Sequence, residues 1–131
     1  MPPEVRVRRR IQWFDTDAST KYHNTAPLRL MEEAEAALLD QLGIITEVYG
    51  KMPRAHVSVD YRRPLRFWDQ VDVHLRVEEV GRTSITYRFE IRDDSQSYAE
   101  GKVVAVYISE AGEPSPWPDR YRSLLDGSAG P

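Results

Sequence analysis

The chain has 131 residues, no cysteine, and 18 basic against 21 acidic side chains, for a formal net charge of -3. That length points to one domain, and the missing cysteines exclude disulfides, thiolate metal sites and a cysteine nucleophile, which suits a reducing compartment. The acidic balance argues against a nucleic-acid module; MPPEVRVRRR lacks the apolar stretch of a secretory signal and no run approaches the ~20 apolar residues that cross a bilayer, so the cytoplasm is the expected location.

Val5, Val7, Ile11 and Trp13 recur at period two, with Arg6, Arg8, Arg10 and Gln12 opposite them, as in a half-buried strand. Arg9 falls on the apolar face, which marks either a bulge or an interface position. Asp15 and Asp17 stand where this strand gives way to a loop, followed by His23, Asn24 and Pro27. Pro27 fits the first turn of a helix. Leu28, Met31, Ala34 or Glu35, Leu38 and Leu42 then follow at helical spacing, Glu32, Glu33 and Glu35 suit the positive end of the helix dipole, and Gly43 supplies a stop.

From residue 54 the period is two. Ala55 to Tyr61, Val71 to Val77, Ile85 to Ile91 and Val103 to Tyr107 alternate apolar with polar neighbours, except that the last is apolar on both faces and is therefore expected inside the sheet. The linkers at 64–69, 80–82 and 93–97 are too short for parallel crossovers, so an antiparallel meander is expected. One helix followed by strands is an α+β arrangement, with the helix on one face of the sheet. A short helical turn is expected near Arg120–Leu125. The domain is read as residues 1–125, with 126–131 a disordered tail.

The chemistry concentrates in the loop. A carbonyl under attack needs a carboxylate to deliver or activate a nucleophile and amides to hold the developing oxyanion, and this order of residues places Asp17 near the free N–H groups of a helix start. The alternative for Asp17 is a loop cap; Asp15 is read as structural, bonding loop amides. Asn24 matters for its backbone N–H, or as an N-cap. His23 is a candidate to orient water or contact substrate, or else an exposed loop residue. Arg62, Arg63 and Arg66 are candidates for bidentate phosphate contacts, with Ser84 adding to them; surface solubility is the competing explanation. Phe67 and Trp68 suit a subunit contact. No two histidines have ligand spacing, so no metal is expected.

WFDTDAS…N…LRLMEEAEAALL, VDYRRPLRFWDQVDVHLRVEEVGRTSITYRFEI and YAEGKVVAVYIS…GEPSPWPDRYRSLL together resemble the hotdog-fold acyl-CoA thioesterases of the 4-hydroxybenzoyl-CoA thioesterase type, across nearly the whole chain. The resemblance implies a curved antiparallel sheet wrapped around a central helix. It also implies homodimers joined edge to edge, often paired into homotetramers, with active sites at the subunit interface. Asp17 maps to the catalytic carboxylate, as nucleophile or general base, and Asn24 to the oxyanion-binding amide. Thr20 stands where the family usually has Gly, and Thr20 and Tyr22 are candidates for substrate contact. The implied reaction hydrolyses an acyl-CoA and needs no cofactor. An acyl-carrier-protein thioesterase and a non-catalytic acyl-thioester binder are the alternatives.

Overall fold

The computed structural model describes residues 1–129. Strand β1 (Glu4–Arg10) leads through a loop to helix α1 (Ala26–Gln41) and a short helix α2 (Ile45–Val48). Strands β2 (Arg54–Tyr61), β3 (Gln70–Val80), β4 (Ser84–Arg92) and β5 (Ser97–Val106) follow, then helix α3 (Asp119–Leu125). All five strands form one antiparallel sheet in the order β1-β3-β4-β5-β2, which curves around α1 as the α+β hotdog arrangement.

The expected meander holds for β3, β4 and β5 but not for β2. That strand pairs with β5, so that β4 and β5 lie between it and β3. Residues 62–69 are a span along the end of the sheet and not a hairpin turn. The amide of Arg62 bonds Tyr98 O, Leu65 O accepts from Tyr22, and the amide of Trp68 bonds Ile11 O. Three strand spacings need only about 14 Å, well within the reach of eight extended residues. β5 lies inside the sheet, as its two apolar faces require.

Leu30, Met31, Ala34, Leu38 and Leu39 of α1 are buried against Val73, Leu75, Ile85, Tyr87, Phe89 and Ile91 of the sheet's inner face. Each such side chain contributes roughly 1.5–3 kcal/mol. The apolar stripe is rotated from the expected one: Leu30 and Leu39 replace Leu28 and Leu42, which are only partly buried. Gly43 ends the helix at a φ of +76°, where glycine alone is unstrained. Strand β1 stops at Arg10, and Trp13 lies beyond it in a 3-10 turn, exposed. β1 pairs with β3 without a bulge, so Arg9 points at the helix, where its Nε donates to Glu33 at 2.9 Å.

None of the three helix glutamates lies in the first turn, contrary to the dipole expectation. Glu33 instead meets Arg9 and Arg29, while the buried Glu35 takes both Nη groups of Arg54. A bulge between Arg54 and His56 makes this pairing possible. Arg54 sits opposite the inward Ala105, although strict alternation from Tyr61 would have turned it outward. α3 lies where a helical turn was expected. Beyond it, Ser128 N bonds Asp126 Oδ1 and Ala129 N bonds Ser123 O, so these tail residues form a turn; residues 130–131 of the expected disordered tail lie outside the described residues.

Candidate active site

The loop from Ile11 to Thr25 has a fixed stem and a small tip. In the stem, a 3-10 turn at Trp13–Asp15 buries the Asp15 carboxylate completely. Its Oδ2 accepts from the Gln12 amide at 2.8 Å, and both oxygens are held by Arg29 of α1, at 2.6 and 2.7 Å. The amide of His23 donates to Asp15 O at 2.7 Å, and Thr16 pairs with Tyr22 as an antiparallel bridge. These bonds tie the stem to the helix start.

The tip runs from Asp17 to Lys21. Asp17 N donates to Lys21 O and Thr20 N to Asp17 O. The Asp17 carboxylate accepts from Ser19 twice, from its Oγ at 2.5 Å and its amide at 2.8 Å. The hydroxyl bond, then the amide bond, hold its pKa below the usual carboxylate value, with His23 adding a smaller lowering. Within one protomer this ionised carboxylate is exposed. Thr20 carries a φ of +69°, the left-handed conformation that glycine adopts without strain.

The helix begins at Ala26 with Thr25 as its N-cap residue, so Asn24 is not the cap. His23 O accepts from Ala26 N, Thr25 O from Leu28 N, and Asn24 O from the hydroxyl of Tyr61 on β2. The carbonyls are thus occupied, while the N–H groups of Asn24 and Thr25 have no acceptor among the described residues. Two free amides at the positive end of a 16-residue helix suit a developing oxyanion. His23 has no free ring nitrogen. Nε2 donates to Phe14 O at 3.0 Å, and in the neutral ring Nδ1 accepts from Thr25 Oγ1 at 2.8 Å. Both contacts brace the stem.

An open groove of about 320 Å³ runs past the tip, lined by Ser19, Lys21, Tyr22, Tyr61, Arg62 and Arg63. Burial, helped by Tyr61, pushes the Tyr22 phenol up to about 12, so it stays neutral. Arg62 is paired with Glu100. Arg63 and Arg66 make no ion pair among the described residues, and Arg66 is tied to the tip by its backbone bridge to Lys21. Ser84 does not join this group. It opens β4 opposite Val106, at the end of the sheet away from Tyr61, and its carbonyl accepts from Trp117 Nε1 at 2.9 Å. Another surface recess, of about 350 Å³, lies on the sheet's outer face among charged side chains such as Arg76, Glu78 and Arg88, away from this chemistry. Among the described residues, no group of three or more His, Asp or Glu side chains is placed to hold a metal ion, and no helix is long and apolar enough to cross a membrane.

Residues 22–100 match the family model described as Thioesterase superfamily, more than half of the chain. The chain belongs to that superfamily. A 1,4-dihydroxy-2-naphthoyl-CoA hydrolase from Synechococcus elongatus is 24% identical over 133 aligned residues, covering 96% of this chain and 98% of that protein. Among solved structures, a Thermus thermophilus thioesterase complexed with coenzyme A and Zn superposes with a TM-score of 0.85 at 28% identity, covering 96% of this chain and 95% of that one. A 1,4-dihydroxy-2-naphthoyl-CoA thioesterase from Synechocystis superposes with a TM-score of 0.84 at 21% identity, over 98% of this chain and all of that one. The protein is a thioester hydrolase by class.

Arg29 and Tyr61 are the site residues that sequence reasoning passed over. Arg29 carried one usable signal, an acidic partner four residues on at Glu33. Tyr61 carried only its inward register at the end of β2.

Proposed function

We propose that this protein hydrolyses acyl-CoA thioesters, with Asp17 as the catalytic carboxylate and the Asn24 amide as oxyanion donor. The observation that carries this reading is the pairing of an ionised carboxylate with unengaged amides at the head of α1, joined by a hydrogen-bonded stem. The thioester carbonyl oxygen meets the amide of Asn24. Asp17 either takes a proton from the water that attacks the carbonyl carbon or attacks that carbon itself, forming an anhydride that water then opens. The C–S bond breaks, the thiol leaves with a proton, and a carboxylic acid remains. No cofactor takes part. Arg63 and Arg66 suit the phosphates of coenzyme A, and the cytoplasm is the fitting location.

A second copy of the chain belongs in this reading. β2 is an edge strand with exposed Val57 and Tyr61, and another β2 laid against it would extend the sheet and cover the exposed Asp17 tip, giving a homodimer or a homotetramer built from it. Thr20 keeps the left-handed backbone that glycine favours, which supports turnover over mere binding. The test is a screen of short, long and aromatic acyl-CoAs, including 1,4-dihydroxy-2-naphthoyl-CoA, with Asp17→Asn alongside. Wild-type turnover in that variant would reject Asp17.

An acyl-carrier substrate is the second reading. It is favoured by the exposed aromatics Trp13, Phe67 and Trp68, whose rings meet one another, with Arg10 stacked on Trp68 and Arg66 next to Phe67 in the chain. An apolar patch with a basic rim suits an acidic carrier. Comparing kcat/KM for the same acyl group on CoA and on a carrier separates the two.

A further inference from the structure

β2 is pinned to α1 at both ends. Arg54 reaches Glu35 at one end, and the Tyr61 hydroxyl donates to Asn24 O at the other. The second bond falls on the peptide that precedes the helix. Its carbonyl belongs to Asn24 and its N–H to Thr25, so Tyr61 acts on the opposite end of an amide whose N–H points free. The neighbouring peptide is fixed in the same sense, because His23 O accepts from Ala26 N at 3.0 Å and leaves the Asn24 N–H outward. Tyr61 is itself held in place: its ring meets that of Tyr22 edge to face at 6.4 Å, and Tyr22 is anchored through its amide to Leu65 O at 2.7 Å.

We infer that Tyr61 is a positioning residue for thioester hydrolysis: by holding the Asn24 carbonyl, its hydroxyl aims and polarises the Thr25 amide as a second oxyanion donor beside that of Asn24. A hydrogen bond accepted by a peptide oxygen strengthens the donor on the same peptide, and donors fixed before reaction cost no reorganisation when charge develops. Without the hydroxyl, Asn24 O turns to solvent and the peptide is free to rotate. The role rests on the assignment of Asn24 given above. It differs from substrate selection, since every thioester presents the same carbonyl, whatever its acyl group.

The experiment is Tyr61→Phe, which keeps the ring and its packing on Tyr22, assayed on short-chain, long-chain and aromatic acyl-CoAs. The expected result is a loss of about tenfold in kcat, equal across the panel, with KM and the unfolding midpoint unchanged. A loss confined to one acyl class, or one carried by KM, would assign Tyr61 to acyl recognition and overturn the inference, as would wild-type kcat. A lowered unfolding midpoint with a uniform rise in KM would overturn it in favour of a structural role. Asp17→Asn on the same panel keeps the two readings apart. If that variant retains activity the site assignment fails, whereas normal kcat in Tyr61→Phe with an inactive Asp17→Asn removes only Tyr61.

Discussion

Arg29 holds both oxygens of the buried Asp15 carboxylate, at 2.6 and 2.7 Å, from the first turn of the helix that follows the unengaged Asn24 and Thr25 amides. The same guanidinium pairs with Glu33, and Arg9 from β1 donates to Glu33 as well. Two carboxylates and two guanidiniums thereby join strand, loop and helix. Removing Arg29 leaves a fully buried carboxylate without its cation, the costly way to break such a pair. Arg29→Ala is expected to lower the unfolding free energy by about 3–5 kcal/mol, as read from urea denaturation. Arg29→Lys should recover only part of this, because an ammonium cannot reproduce the forked contact. Equal stability of the Ala variant and wild type would show that the pair does not hold the stem.

Asp17→Asn should leave the unfolding midpoint unchanged, because the side chain is exposed and its bonds are local. Its kcat should fall by about 10² to 10⁴, the range for removing a group that moves a proton or attacks. The pH dependence follows from Ser19. Both Ser19 bonds favour the ionised form, so the folded pKa lies below the ordinary value of 3.8. Activity and any contribution to folding are full above the ordinary value and are lost as pH falls through the depressed one. Ser19→Ala deletes the hydroxyl bond and leaves the amide bond, so the acid limb of kcat/KM should move upward in pH. An acid limb that stays put would mean that another group titrates there.

Thr20 occupies a left-handed backbone position at φ +69°, which penalises a β-branched residue. Thr20→Gly should raise stability by up to about 1 kcal/mol, the relief of strain being offset in part by glycine's greater freedom when unfolded. Thermal unfolding measures it. A destabilised Gly variant would show that the Thr20 side chain contributes packing that outweighs its strain.

Arg54→Ala is expected to be strongly destabilising, by about 3–5 kcal/mol, because it strands the buried Glu35. The double variant Glu35→Leu/Arg54→Met removes both charges and should lie much closer to wild type. If the double variant were as unstable as the single one, the bulge at Arg54–His56 and not the ion pair would be the source of the cost.

Much of this site was legible in the chain. The run from Asp15 to Pro27 placed a carboxylate beside a helix start, and period-two alternation located all five strands, because both signals are local. Strand order was not, since alternation reports which face a residue occupies and says nothing of its neighbour, so β2 was assigned beside β3 when it lies beside β5. Arg54 illustrates the same limit. A single-residue bulge reverses its face, and counting by twos cannot detect that. Glu35 read as a partner of the helix dipole because its cation lies 19 positions away. The ring contacts of His23 could not be counted from the chain, because Phe14 O and Thr25 Oγ1 come together around it only in the folded loop.

The bridge between Thr16 and Tyr22 separates the loop into parts with different tolerances. Everything on the helix side of it is cross-braced by charge and backbone bonds, while Ala18 to Lys21 form an overhang whose side chains answer to nothing in the core. Ser19 apart, whose bonds hold the Asp17 carboxylate, replacement of side chains on this overhang leaves the stem beneath intact, so a lineage descended from this scaffold has a place to diversify that its core does not oppose.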